Sequence, residues 1–312
     1  MRLALTALTE ELRRLQSAGV KRVSVSDEGL AALRTAAKAA ADAAPAPSPA
    51  PVTDKGVRSR PLTPPAEVKS RDLTRSPAPA PAGPPPPSLA DLRARLQPLG
   101  GKEARWAALC EIVRQDPHCR GHLRPGKQLV IGVGDLAARV FFVGEAPGAE
   151  EEVQGEPFVG PAGQLLNKMI GAMGLERRQV YIGNIMNWRP EMPVGAGGAQ
   201  YGNRPPTPEE LAYCLPYLLA QVEIVDPAVL VALGATASQG LLGAGTFKAL
   251  GEIRGRWHDV AGKPLMVTYH PSYILRNQSN RSKRLIWEDL LKVMERAEMP
   301  VSDKQRRYFL DK

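Results

Sequence analysis

The stretch that decides the fold is VFFVGEAPGAEEEVQGEPFVGPAG, which runs from Val140 to Gly163. It begins with an apolar run that ends at Val143, as a buried strand does, and then changes to glycines, prolines and carboxylates. The glycines predict a loop that bends tightly and lets a ligand approach the backbone. Glu145 and Phe158 stand inside this loop. A plain strand-to-helix connection with solvated glutamates is the alternative interpretation, and the rest of the chain decides between the two.

Outward from this stretch, apolar runs alternate with helical patterns. The runs have the length of buried strands, and the segments between them repeat apolar side chains at helical spacing. Such alternation implies right-handed crossovers and a parallel sheet with both faces covered, so we predict a three-layer α/β/α sandwich around about four strands. The predicted strands are Arg139–Val143, Val180–Ile185, Ala228–Leu233 and Leu265–Tyr269, and the predicted helices are Gln164–Met173, Pro208–Val225, Thr236–Leu242 and Lys283–Glu298.

Three of the predicted strands end at residues that could carry chemistry. Glu145 follows the first strand, Asn184 closes the second, and His270 follows the fourth. Ligands of parallel α/β sheets bind beyond the carboxyl ends of the strands. We therefore expect these three side chains to meet in one pocket.

The first third of the chain differs in composition from the rest. Residues 1–43 have helical spacing and an alanine-rich stretch, which predict a short helical segment. Residues 44–88 are rich in proline and alanine and lack the runs from which a core is built, so we expect a disordered linker. The globular domain would then cover residues 89–300, followed by a C-terminal tail at 301–312.

The bulk composition narrows the class of protein. Lys and Arg outnumber Asp and Glu by 41 to 32, and the resulting net charge of +9 favours a polyanionic partner. No apolar run approaches the ~20 residues that span a bilayer, and the N-terminus lacks a signal-peptide pattern. We expect a cytoplasmic protein without membrane contact. Three cysteines do not suggest a disulfide framework and leave metal binding or simple burial as their roles.

The expected pocket could act on a base taken out of a nucleic acid. Such an enzyme extrudes the base, stacks on its face and reads its edge by hydrogen bonds. Phe158 supplies an aromatic ring on which a base can stack. The Asn184 amide can form hydrogen bonds with an adjacent carbonyl and imino N–H pair such as O4 and N3 of uracil. His270 can donate to a ring oxygen that gains charge, and Glu145 can face a cationic sugar or orient water. No step needs a metal or a redox cofactor.

Three stretches together resemble motifs of the uracil-DNA glycosylase superfamily, most closely its family 4. They are GEAPGAEEEVQGEPFVGPAG, VYIGNIMNWRP and HPSYILRNQ, and they extend over nearly the whole predicted globular domain. The resemblance implies a monofunctional repair enzyme that flips uracil from DNA and hydrolyses its N-glycosidic bond. Glu145 and His270 would be catalytic, Phe158 would stack on uracil, Asn184 would read its edge, and Ala146 would contribute backbone to the pocket.

The same resemblance implies that the segment after His270 enters the duplex. Ile274 or Leu275 would unstack a base step, and Arg276 would contact a phosphate. Uracil-containing DNA is the implied partner of a monomeric enzyme, and replication or repair proteins are candidate partners of the N-terminal extension. Two other functions stay open at this point. One is a non-catalytic module that binds uracil or damaged DNA, and the other is a glycosylase that also accepts hypoxanthine or xanthine.

An iron–sulfur cluster is the cofactor that the resemblance raises. Family 4 holds a 4Fe–4S cluster with four cysteines, and here only Cys119 and Cys214 stand at comparable positions. His122 replaces the partner of Cys119, and Trp188 takes the place of the third ligand. We therefore expect no cluster, a reaction that needs no cofactor, and buried cysteines with Trp188 in the space of the cluster.

Two further departures from the family pattern concern loops. Glu152 stands where the family often has aspartate. The segment Glu191–Pro206 is longer than usual and contains no histidine that could trap the product, so the sequence predicts turnover. Its glycines, at positions 195, 197, 198 and 202, suggest either a mobile flap with Arg204 on a phosphate or a plain surface loop.

Overall fold

The computed structural model describes residues 85–192, residue 200 and residues 202–310. The predicted helical segment 1–43, nearly all of the predicted linker 44–88 and the glycines at 195, 197 and 198 lie outside these described residues.

One mixed sheet of six strands forms the centre of the domain, in the order β1-β3-β2-β4-β6-β5. The four inner strands are parallel, and the outer strands β1 and β5 pair antiparallel with β3 and β6. The strands are β1 Val133–Gly134, β2 Val140–Gly144, β3 Tyr181–Asn184, β4 Val229–Leu233, β5 Trp257–Val260 and β6 Lys263–Thr268.

The predicted parallel sheet of about four strands is confirmed as the centre of this sheet, but the prediction missed both edges. β1 is only two residues long, and β5 is mostly exposed, so neither has the apolar run that reveals a buried strand. The prediction of a purely parallel sheet was therefore wrong at the edges.

Helices cover both faces of the sheet, as predicted. Alternate residues of β2 point to opposite sides, and they separate two cores. Val140 and Phe142 face α5 and α10, whereas Phe141 and Val143 face α6 and α7. The helices are α1 Leu89–Leu96, α2 Lys102–Gln115, α3 Pro117–Gly121, α4 Glu151–Gln154, α5 Pro161–Ala172, α6 Pro208–Val225, α7 Ala235–Leu242, α8 Leu250–Ile253, α9 Pro271–Arg276, α10 Asn280–Arg296 and α11 Asp303–Arg306.

A third core lies outside the sandwich, where α1, α2 and α3 pack against α6. Its centre contains Leu109, Val113, Trp188 and Tyr217, all of which are fully buried. None of the helices in the described ranges is long and apolar enough to cross a membrane.

The predicted C-terminal tail is packed against the domain. The indole N–H of Trp287 on α10 donates to the Gln305 carbonyl at 2.6 Å, and the Gln305 amide donates to the Ala172 carbonyl at 2.9 Å. Tyr308 also packs against the core on this face. The last described residues therefore close one side of the sandwich.

A buried ion pair fastens β6 to α10. The Thr268 hydroxyl donates to Asp289 at 2.6 Å, and the Arg254 guanidinium lies 2.8 Å from the same carboxylate. Burial raises the pKa of Asp289 in spite of Arg254, so the pair contributes little net free energy. Removing one partner is a different matter, because it leaves the other charge uncompensated.

We predict that Asp289→Ala lowers the free energy of unfolding by about 3 kcal/mol, because Arg254 is then left largely buried without its carboxylate. Glu288→Ala is the matched control on the same helix, since Glu288 is exposed and its ion pair is with Arg284, one turn away. That control should change stability by less than about 0.5 kcal/mol. Urea unfolding measures the stability of both variants. Equal losses in the two would contradict a special role for the buried pair of Asp289 and Arg254.

Candidate active site

A cavity of about 670 Å³ opens at the carboxyl edge of the parallel strands, a volume typical of a small-molecule site. Four inner strands end there, as strand polarity requires. The residues around it include six that the sequence predicted for the site, namely Glu145, Ala146, Phe158, Asn184, His270 and Arg276. The expectation that the strand ends build one pocket is met by this geometry.

Asn184 closes β3 directly beside Gly144 of β2. Its side chain is buried, and its Oδ1 has no hydrogen-bond partner among the described residues. A Cβ on residue 144 would lie 2.3 Å from this oxygen, so only glycine fits there. An unpaired buried acceptor costs about 1–3 kcal/mol. Asn184 also lines the cavity, so a ligand there could supply the missing donor.

Phe158 adopts a left-handed backbone conformation with φ of 54°. Such a conformation costs a bulky residue on the order of 1–3 kcal/mol and persists only where the surroundings enforce it. The ring is buried against the core, its edge lies beside Gly144, and its centroid is 5.6 Å from that of the His270 ring. The strained backbone thus brings an aromatic face to the cavity.

His270 is the N-cap of α9, and its ring orientation is fixed by the first turn of that helix. The Ser272 backbone N–H donates to Nδ1 at 3.2 Å, so Nδ1 carries a lone pair and the ring proton of the neutral imidazole is on Nε2. Burial, aided by the charge of Arg276, lowers the pKa of His270 to about 4. The residue is therefore a neutral N–H donor at pH 7.

Glu145 follows β2, and its backbone is tied to the neighbouring strand end. The Met186 N–H donates to the Glu145 carbonyl at 3.1 Å. Burial raises the pKa of the Glu145 carboxyl, and a hydrogen bond with Thr236 opposes this shift. A carboxylate in such surroundings is a stronger base than one in water.

Thr236 and Asn203 are polar residues around this cavity that sequence reasoning missed. Thr236 lies in the first turn of α7, after β4, and Asn203 lies in the segment between β3 and α6. Thr236 could have been found, because the third predicted strand also ends at this edge. Asn203 had no such signal, since nothing in a glycine-rich insertion indicates where it folds.

Arg204 is paired with a carboxylate. Its guanidinium makes two hydrogen bonds of 2.6 and 2.7 Å to the Glu210 carboxylate at the start of α6. This pair closes the insertion onto the helix. Arg204 also lines the cavity, and its contact with a phosphate stays one of the two interpretations that the sequence left open.

The two candidates for the duplex wedge differ in exposure. Ile274 is 6% exposed and packs into the core below α9, so this structure does not favour it as the wedge. Leu275 is 42% exposed, and the neighbouring Arg276 is also exposed at the mouth of the cavity. Helical spacing explains the difference, because adjacent residues of a helix point about 100° apart.

The three cysteines, all within the described ranges, do not form a metal-binding set. Cys119 and Cys214 are fully buried and adjacent, and their contact together with burial raises the pKa of Cys119 far above its ordinary value. Burial likewise raises the pKa of Cys110 to about 12. The His122 ring stacks on Trp188 with centroids 4.6 Å apart. A 4Fe–4S cluster takes four ligands, and among the described residues no group of three or more His, Cys, Asp or Glu side chains is placed to hold a metal ion.

Glu152 has a structural position outside the cavity. Its buried carboxylate pairs with Arg189 at 3.0 Å and with Arg124 at 2.5 Å. Arg189 in turn donates to the Gly202 carbonyl at 2.6 Å and to Asn203 Oδ1 at 2.8 Å. The longer glutamate at this position therefore connects the first motif to the end of the insertion.

Comparison with known proteins identifies the family of this fold and site. The family model described as "Uracil DNA glycosylase superfamily" matches residues 131–291. The chain is 42% identical over 192 residues to the type-4 uracil-DNA glycosylase of Thermotoga maritima, which covers 61% of this chain and 94% of that protein. It is 40% identical over 176 residues to the type-4 uracil-DNA glycosylase of Archaeoglobus fulgidus, and the match covers 54% of this chain and 83% of that protein.

A third relative is the type-4 uracil-DNA glycosylase of Pyrobaculum aerophilum, which is 36% identical over 181 residues, or 56% of this chain and 87% of that protein. The similarity extends over most of each relative. The chain belongs to the uracil-DNA glycosylase superfamily and, within it, to the type-4 family.

Proposed function

We propose that the protein removes uracil from DNA by hydrolysis of the N-glycosidic bond and leaves an abasic site for base excision repair. The observation that carries the proposal is the buried, unpartnered Oδ1 of Asn184 beside an aromatic face, within the described residues of the cavity. Uracil brings an imino N–H that this oxygen can accept. The glycosylase relatives support the same reaction.

Recognition begins with a base that has left the duplex. The flipped uracil lies against Phe158, its N3–H donates to Asn184 Oδ1, and its O4 accepts from the amide NH₂. Cytosine presents an unprotonated N3 and an amino group at these places. It would leave the Asn184 amide unpaired in a buried site, at a cost of about 1–3 kcal/mol per group.

Bond cleavage uses the remaining two side chains. As the C1′–N1 bond breaks, negative charge grows on uracil O2, and the Nε2–H of His270 donates to it. The sugar becomes cationic, and Glu145 faces this charge and orients a water whose oxygen bonds to C1′. The water proton passes to Glu145 or to solvent, and the uracil anion is protonated on release. No step requires a group from outside the chain other than water.

DNA binding would use the surface around the cavity mouth. Leu275 is the exposed apolar side chain that can enter a base step, and Arg276 beside it can contact a phosphate. The net charge of +9 supports a polyanionic partner.

Uracil excision is tested with single- and double-stranded oligonucleotides that contain one uracil, followed by hot alkali, which breaks the strand at abasic sites. We expect breaks at uracil and none at cytosine or thymine. A panel with hypoxanthine and xanthine defines the lesion range. Tight binding to uracil-DNA without base release would instead support a binding module.

Asn184→Ala should lower the single-turnover rate at least a hundredfold, because both hydrogen bonds to the base are lost, at about 1.5 kcal/mol each. Asn187→Ala is the matched control. Asn187 is equally buried three residues away, and its Oδ1 is likewise unpartnered, but its amide NH₂ donates to the Val130 carbonyl and the residue does not line the cavity. The control should lose stability and keep most of its rate. Equal rates for Asn184→Ala and the unchanged protein would place the site elsewhere.

The dependence of kcat/KM on pH should show no titration of His270 near its ordinary 6.5, because its lowered pKa keeps it neutral well below that value. The fall of kcat/KM at low pH, the acid limb of the profile, is due to Glu145, which must be ionised for the reaction. Because burial raises its pKa, activity should begin to fall above the ordinary value of 4.5. Glu145→Gln should lower the rate and remove this limb. An inflection near 6.5 that disappears in His270→Asn would contradict the assignment.

We also propose that the protein carries no iron–sulfur cluster. Freshly purified protein, and protein incubated with iron and sulfide under reducing conditions, should lack the broad absorbance near about 400 nm that such clusters give. Uracil excision should be unaffected by the incubation. A band that depends on Cys119 and Cys214 would overturn this proposal.

A further inference from the structure

The strained conformation of Phe158 needs an external cause. Its φ of 54° is uncommon for a residue with a large side chain. A relaxed backbone would turn the ring away from the cavity, because φ and ψ set the direction of the Cα–Cβ bond. Something outside the cavity must therefore hold the two peptide planes that flank this residue.

Arg177 makes contact with both of these peptide planes. It lies in the short 3₁₀ turn Arg177–Gln179 before β3 and does not line the cavity. Its Nη2 donates to the Pro157 carbonyl at 2.5 Å, and its Nη1 donates to the Phe158 carbonyl at 3.2 Å. The first carbonyl belongs to the peptide plane that φ rotates, and the second to the plane that ψ rotates. One rigid guanidinium thus restrains both angles.

Glu151 also fixes the loop, through backbone N–H groups. One carboxylate oxygen accepts from the N–H groups of Val159 and Gly160 at 3.1 Å each, and the other accepts from the Gly148 N–H at 3.1 Å. The start of α5 completes the enclosure, since a Cβ on Gly163 would lie 1.8 Å from the Phe158 carbonyl oxygen. The backbone around Phe158 is therefore held by three sets of contacts, with Arg177, with Glu151 and with the start of α5.

We propose that Arg177 is a positioning residue for uracil excision, which acts by holding Phe158 in the conformation that presents its ring to the base. The inference rests on the proposed function of the cavity. Arg177 neither touches the base nor contributes to the cavity wall. Its Nη1 also donates to Asn167 Oδ1 on α5 at 3.2 Å, and the proposed effect on the reaction passes through Phe158 and not through this third contact.

The test compares Arg177→Ala, Arg177→Lys and Phe158→Ala as single changes, and each of the two Arg177 changes combined with Phe158→Ala. Arg178→Ala is the matched control, because Arg178 is the next residue, is exposed and forms its ion pair with Glu176 in the same turn. Single-turnover excision at saturating uracil-DNA, the dissociation constant for DNA and the melting temperature are measured for each.

We expect Arg177→Ala to lower the excision rate about tenfold, within the range that a lost base–aromatic stack gives. DNA affinity should stay unchanged. In the Phe158→Ala background the same change should have no further effect on the rate. Arg177→Lys should recover part of the loss, since an ammonium can donate to one of the two carbonyls, and Arg178→Ala should match the unchanged protein.

Two outcomes would overturn the inference. One is an unchanged rate in Arg177→Ala, and the other is an equal loss with and without Phe158, which would indicate a general structural effect. If Arg177→Ala does not fold, the comparison of Arg177→Lys in the two backgrounds decides by the same criterion. Absence of excision by the unchanged protein would refute the proposed function itself, and is thereby distinguished from failure of this inference.

Discussion

The parallel pairing of β2 with β3 and β4 is the constraint on which the site depends. Parallel strands end at the same edge of a sheet, so the residues that come after them must converge. The register places Gly144 directly beside Asn184, and the missing side chain of Gly144 is what leaves room for the amide. Phe158 then occupies the other side of the same glycine. The Asn184 amide and the Phe158 ring are therefore brought to the same part of the cavity by the order of the strands and by the absence of a Cβ at Gly144.

Burial shifts the pKa values of Glu145 and His270 in opposite directions, and for the same reason. Removal from water disfavours whichever form is charged. It raises the pKa of Glu145 and lowers that of His270. A neutral imidazole whose proton is fixed on Nε2 by Ser272 is a donor with little reorganisation to make. A carboxylate whose ionised form is destabilised by burial is stabilised strongly by a cation beside it. Both features favour a reaction in which charge separates between base and sugar.

Much of this arrangement could be predicted from the sequence, because it depends on chain-local patterns. The apolar runs located the four inner strands, and the residues just after Val143 and Thr268 carried the site. The edges β1 and β5 could not be found, since they lack an apolar run. The sequence also did not show which side of α9 is buried. Ile274 and Leu275 are both branched apolar residues, and only the packing shows that Leu275 is exposed. The role of Arg177 depends on contacts with a loop some twenty positions earlier, which no local pattern records.

The third core contains the two cysteines that stand at positions where the type-4 resemblance implies cluster ligands. Cys119 and Cys214 pack as small buried side chains, and Trp188 and His122 stack where further ligands would stand. A cluster would join α3, the end of β3 and α6 by bonds to iron. Here Asp116 joins two of these elements, since it caps α3 and accepts hydrogen bonds from Tyr213 and Tyr217 on α6. Hydrogen bonds and aromatic packing thus hold these elements together. Because Glu145, Phe158, Asn184 and His270 are not members of this third core, its packing and the side chains around the cavity can vary independently.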